Sequence, residues 1–274
     1  GVNAGDAIAS GGNYNVVVGD EAGTAITTGD DNVGVGYAAL SANTTGVSNT
    51  AVGKGALTAN TTANYNSAFG ENALLANTTG TQNSGIGRYT LASNTTGDYN
   101  VAVGGDALTA NTTADNNTAV GMFALTANTT GTRMTSVGSR SGMQNTTGNY
   151  NAFFGYDSGE SNTTGASNAF FGDSAGRENT TASNNTAIGQ AALLLNTTGA
   201  DNTAVGFQAL TRNTTGASSV GIGKNTLAFN TTGTQNTAVG EGALSANTTA
   251  SFNTALGENA LASNTTGTQN VAVG

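Results

Sequence analysis

The 274-residue sequence contains no cysteine, proline, histidine or tryptophan, and only 8% of its residues are charged. Without cysteine there are no disulfides, thiolate nucleophiles or thiolate metal sites, and no clue to redox compartment. Without histidine the commonest general base is also missing. A typical soluble chain is about 25% charged. Here the net charge of -9 is carried by scattered acidic residues rather than blocks, which argues against nucleic-acid or anionic-membrane partners. No apolar run approaches the roughly 20 residues of a membrane-spanning helix, so no membrane insertion by this segment is expected. No basic-then-apolar signal segment opens the chain, which starts at Gly1; it is expected to be a fragment of a longer protein.

What is abundant is glycine, with 41 residues, and it is placed periodically. From Gly19 through Gly36, Gly53 and Gly70 to Gly274, a glycine recurs every 17 residues without insertion or deletion. The stretch NTAVGKGALTANTTANYNSAFG, residues 49–70, shows the unit beginning again before it ends. The residue before each glycine is always apolar (Val18, Val35, Val52, Phe69, Ile86 and onward to Val273), and this column is expected to face a core. Four residues after most of the glycines stands a leucine, Leu40 to Leu261, replaced by Gly23, Gly142, Gly159 and Gly176; this is a second inward column. The two residues directly after each glycine share no chemistry and are expected to face solvent.

A strict period, short Val/Ile/Phe segments and Gly and Asn at corners predict an all-β fold, a parallel β-solenoid of sixteen 17-residue coils. Seventeen residues are too few for two helices with their turns. The reading is one repeat domain over 1–274, with atypical first coils in 1–36 and regular repeats in 37–274. At about 4.8 Å per coil the stack would be roughly 75 Å long. Each coil has little core of its own, which favours lateral association. Two residues before the glycine the side chain is mostly small, as in Ala51, Ala68 and Ala102, and this column is expected to meet a neighbouring chain. A homo-oligomeric fibre, a trimer, is the expected assembly.

The segments NTAVG, NVAVG and NTAIG resemble the strands of YadA-like heads in trimeric autotransporter adhesins. They are equally similar to the NTAVGxxALxxNTTG arrays of tail-fibre proteins that carry an intramolecular chaperone. The resemblance spans essentially the whole chain. It implies a trimer of left-handed parallel β-rolls, an extracellular, cell-surface or virion-surface location, and a role in display or in attachment to a host surface protein or glycan. Adhesin heads of this kind cycle in about 14 residues, so the 17-residue coil and its NTTG insert imply a different cross-section.

Two asparagine columns run through the repeat. Four residues before the glycine stand Asn15, Asn32, Asn49, Asn66 and their successors to Asn270, interrupted by Met134 and Ser219. Seven after it stand Asn43, Asn60, Asn77, Asn94, Asn111, Asn128, Asn145, Asn162, Asn179, Asn196, Asn213, Asn230, Asn247 and Asn264. Both suit amide ladders at turns. Each member of the second column also lies in Asn-Thr-Thr, an N-glycosylation acceptor pattern, so a glycosylated extracellular filament is the alternative reading. Ile26, which takes this position in an early coil, points instead to a site that can be buried. The stacked threonines, Thr44 and Thr45 through Thr265 and Thr266, raise an ice-binding solenoid as a third.

Catalytic and cofactor chemistry finds little to use, and the chain is expected to be neither an enzyme nor a cofactor or metal binder. Asp20 with Glu21, Asp30 with Asp31, and Glu71 with Asn72 match no calcium-repeat spacing. One local departure stands out: Phe153, Phe154, Phe170 and Phe171 appear where the leucine column becomes Gly142, Gly159 and Gly176. Either the core exchanges large for small side chains, or the phenylalanines form an aromatic contact patch for a receptor or glycan.

Overall fold

The computed structural model describes residues 2–9 and 11–274, in two compact units, Gly1–Met134 and Thr135–Gly274. The first holds β1 (Val16–Val18), β2 (Val33–Val35), β3 (Thr50–Val52), β4 (Ser67–Phe69), β5 (Ser84–Ile86), β6 (Val101–Val103) and β7 (Thr118–Val120). The second holds β8 (Thr135–Val137), β9 (Ala152–Phe154), β10 (Ala169–Phe171), β11 (Thr186–Ile188), β12 (Thr203–Val205), β13 (Val220–Ile222), β14 (Thr237–Val239), β15 (Thr254–Leu256) and β16 (Val271–Val273). There is no helix among the described residues. Within each unit the strands pair in parallel in chain order. Thr50, Ala51 and Val52 face Ser67, Ala68 and Phe69, a shift of one 17-residue coil that recurs at each pairing. Each unit is thus a parallel β-solenoid.

The recurring glycine ends every strand for two physical reasons. At Gly53 φ is 137°, a region open only to glycine, and a Cβ there would lie 2.5 Å from the carbonyl oxygen of Gly70 in the next coil. The chain then turns back through left-handed residues. Leu57 has φ of 50° and donates its N–H to the Ala73 carbonyl of the next coil at 3.0 Å. Because the leucine position is itself left-handed, glycine fits there without backbone change, as at Gly159 with φ of 59°.

The strands face the opposite way from the sequence expectation. The alanine column points inward: Ala51, Ala68, Ala102, Ala119, Ala187, Ala204, Ala238 and Ala255 are fully buried. The Val/Ile/Phe column before the glycine points outward, with Ile86 46% and Phe171 38% exposed. Alanine therefore does not meet a neighbouring chain, and valine does not fill the core. The reason is width. The inner face of each strand lies against the leucine turn of its own coil, and a buried leucine leaves room opposite for only a methyl group.

The exceptions obey the same volume rule. Phe153 and Phe170 are fully buried, stacked at 5.3 Å, and take the space that Gly159 and Gly176 vacate. A Cβ on Gly159 would come within 2.8 Å of the Phe153 ring. Where the inward strand residue shrinks to Gly85 or Gly221, the facing alanine becomes Thr90 or Thr226, whose hydroxyl turns back onto its own turn at 3.0 Å.

Candidate functional site

Within each unit the asparagines of the Asn-Thr-Thr column form a ladder. Asn60 Nδ2 donates to Asn43 Oδ1 of the preceding coil at 2.8 Å and to the Ala63 carbonyl of its own turn at 3.2 Å. The arrangement repeats at Asn94, Asn111, Asn179, Asn213 and Asn230. Thirteen of these asparagines, Asn43 to Asn247, have no exposed surface, and Asn264 is half-buried. A sugar would have to sit on an amide nitrogen that is buried and already hydrogen-bonded. The geometry therefore favours the ladder over glycan attachment on the folded chain.

The other asparagine column is a second ladder with different wiring. Asn66 Oδ1 accepts the N–H of Asn83 at 2.9 Å, while Asn66 Nδ2 donates to the Gly80 carbonyl at 2.8 Å, so one side chain grips two backbone groups of the next coil. At the interruption, Ser219 supplies a hydroxyl oxygen that accepts the Asn236 N–H at 3.2 Å. Among the described residues no buried side-chain nitrogen or oxygen lacks a partner. Both columns are structural, and the sequence located them correctly.

The two threonines of Asn-Thr-Thr divide. The first is half-buried and donates its hydroxyl to the next coil, as Thr44 Oγ1 does to the Thr61 carbonyl at 3.0 Å. The second, Thr45, Thr62, Thr79 and their equivalents, is exposed as a single column beside the buried asparagine and glycine positions.

The aromatic patch also divides. Phe153 and Phe170, inside the core, cannot touch a receptor; Phe154 and Phe171 stack at 4.7 Å on the outer sheet face. That face is the surface the sequence reading assigned to the wrong side. In each unit it carries two parallel columns, one of small or β-branched residues (Thr50, Ser67, Val101 in the first unit) and one of large apolar residues (Val52, Phe69, Ile86, Val103). In the second unit the apolar column runs Val137, Phe154, Phe171, Ile188, Val205, Ile222 and onward. The signal that could have shown this was in the sequence: a strand residue is phenylalanine on the inner side only where the leucine opposite is glycine.

Charged groups other than Asp157 are peripheral. Arg140 Nε donates to Asp157 Oδ1 at 2.8 Å, and this hydrogen bond holds the guanidinium above its ordinary pKa. Lys224 is likewise raised by its hydrogen bond to Glu241, Nζ to Oε1 at 2.9 Å. Both pairs join neighbouring coils, and of the four groups Asp157 is buried. No cluster of three acidic side chains suited to a metal occurs among the described residues, and no helix there is long and apolar enough to cross a membrane.

Neither a protein-family model, nor a curated protein, nor a solved structure matches this chain.

Proposed function

We propose that this chain is a non-catalytic structural segment of an extracellular or virion-surface fibre, in which copies of the chain associate along their outer sheet faces as a homotrimer. It acts as spacer and as attachment surface for a host surface protein or glycan. The observation that carries this reading is the outer face itself. A column of valine, isoleucine, phenylalanine and leucine lies half-buried or exposed, one per coil, although most of the same strands bury nothing larger than alanine on the inside. Contiguous apolar surface of this kind marks an interaction site rather than scattered exposure. A second copy, with the same 17-residue repeat, presents apolar side chains at the same axial spacing, so the two faces mesh at every coil.

Sedimentation equilibrium tests it. The wild-type chain is expected at three times its 26.8 kDa mass. The double variant Val52→Glu, Val239→Glu is expected at the single-chain mass with an unchanged circular dichroism spectrum, since both positions face outward. A wild-type monomer at micromolar concentration, or a trimer that survives both glutamates, refutes the assembly.

A further inference from the structure

Within the second unit the repeat departs from its own pattern at one outward corner. Six residues after the recurring glycine most coils carry a small side chain, as at Ala42, Ala59, Ala76 and Ser93; Gln144 departs alone, and four successive coils carry Glu178, Leu195, Arg212 and Phe229, of which the last three are large and lie together. This position is half-buried or exposed throughout, so core packing does not demand the change. The three large side chains line a cleft of about 590 Å³, within the size range of small-molecule sites.

The cleft lies between this corner and the one two residues after the glycine, where Gln208, Asn225 and Asn259 stand. Between Asn225 and Asn259 the equivalent residue is Gly242, where a side chain would run into the Asn259 carboxamide oxygen. The missing side chain lets the Asn259 carboxamide lie against the Gly242 backbone, in the wall of the cleft. The same glycine-asparagine step occurs at Gly55 and Asn72 in the first unit, but beside Ala59 and Ala76, which build no opposite wall.

The chemistry of the lining is specific. Arg212 stacks over the Phe229 ring, Cζ to centroid 4.5 Å, and forms no ion pair among the described residues. Glu241, the one carboxylate of the cleft, is held by Lys224. In a chain of net charge -9 the cleft thus keeps an uncompensated guanidinium, the group best shaped to hold a carboxylate through two parallel hydrogen bonds. The side-chain amides of Gln208, Asn225 and Asn259 enter no hydrogen bond among the described residues, in contrast to the buried asparagine ladders. Each offers two donors and an acceptor, which suits neighbouring hydroxyls. Leu195 and Phe229 supply apolar surface for the C–H face of a ring.

We propose that this cleft binds a carboxylated saccharide, with the acid on Arg212, the hydroxyls on the three amides and the sugar ring against Leu195 and Phe229. The reading is independent of chain association. Isothermal titration of the full chain with a galacturonic acid trisaccharide, its methyl ester and citrate tests it. The acid is expected to bind roughly tenfold or more tightly than the ester, and Arg212→Gln to lose roughly the same factor, the usual cost of a lost charged hydrogen bond. Phe229→Ala is expected to weaken the acid several-fold, and both variants to retain the wild-type circular dichroism spectrum. Equal binding of acid and ester, wild-type affinity in Arg212→Gln, citrate binding as tightly as the saccharide, or no binding at about 10 mM each overturns the proposal.

Discussion

Replacing Asn66 tests the ladder that joins the coils. Asn66 is fully buried; its Oδ1 is the acceptor for the Asn83 N–H and its Nδ2 donates to the Gly80 carbonyl. In Asn66→Ala the Asn83 N–H is left buried without a partner, at a cost of about 1–3 kcal/mol. The Gly80 carbonyl is better off, because Asn77 Nδ2 also donates to it at 2.9 Å, so the second lost bond costs only about 1 kcal/mol. The sum is about 2–4 kcal/mol, concentrated at the junction with the next coil. Asn66→Ser should cost only about 1–2 kcal/mol, because a serine hydroxyl can accept the next N–H as Ser219 does for Asn236. In a solenoid each coil contacts chiefly its neighbours, so native-state hydrogen exchange at the Asn83 amide is the appropriate assay. Exchange should accelerate roughly 30- to 1,000-fold in the alanine variant, at 1.36 kcal/mol per decade, and clearly less in the serine variant. If both variants exchange within a factor of about two of the wild type, a difference of under 0.5 kcal/mol, the amide is not bonded as described.

The phenylalanine exchange predicts non-additivity. Phe153→Ala alone should lower stability by about 3–5 kcal/mol, whereas adding Gly159→Leu recreates the Ala51–Leu57 arrangement of a regular coil and should recover part of that loss in urea denaturation. A double variant no more stable than Phe153→Ala would show that the two positions do not share one volume. Expression in a glycosylating secretory host should yield an intact mass of 26.8 kDa, because the acceptor amides are buried and bonded once the chain folds. Sugar found on any of Asn43 to Asn247 in a chain with native β-structure would contradict that burial.

The period, the parallel register and the asparagine ladders were legible without coordinates. Glycine at Gly53 and its equivalents answers to a local backbone demand, φ of 137° beside the next coil's carbonyl, and such a demand imposes itself on the sequence at each turn. Asparagine at Asn66 and Asn77 likewise meets a hydrogen-bonding need that repeats with the coil. The fate of the Asn-Thr-Thr acceptors was ambiguous, because the tripeptide is the same whether its amide faces water or a neighbouring carbonyl.

The facing of the strands could not be settled from a run as short as Thr50-Ala51-Val52; its one trace in the sequence is the exchange of alanine for Phe153 and Phe170 where leucine becomes Gly159 and Gly176. Alternation over three residues names two faces without saying which is inside, and a bias toward burying valine points the wrong way. That choice belongs to the tertiary structure: the leucine on the opposite wall of the coil sets how much space remains, and nothing larger than alanine stands against it. Sequence alone therefore determined that the chain winds once every 17 residues and where its amides stack. The three-dimensional packing decided that the large apolar column, with Phe154 and Phe171 on it, lies outside, because interior width is a property of two walls together and of neither strand by itself.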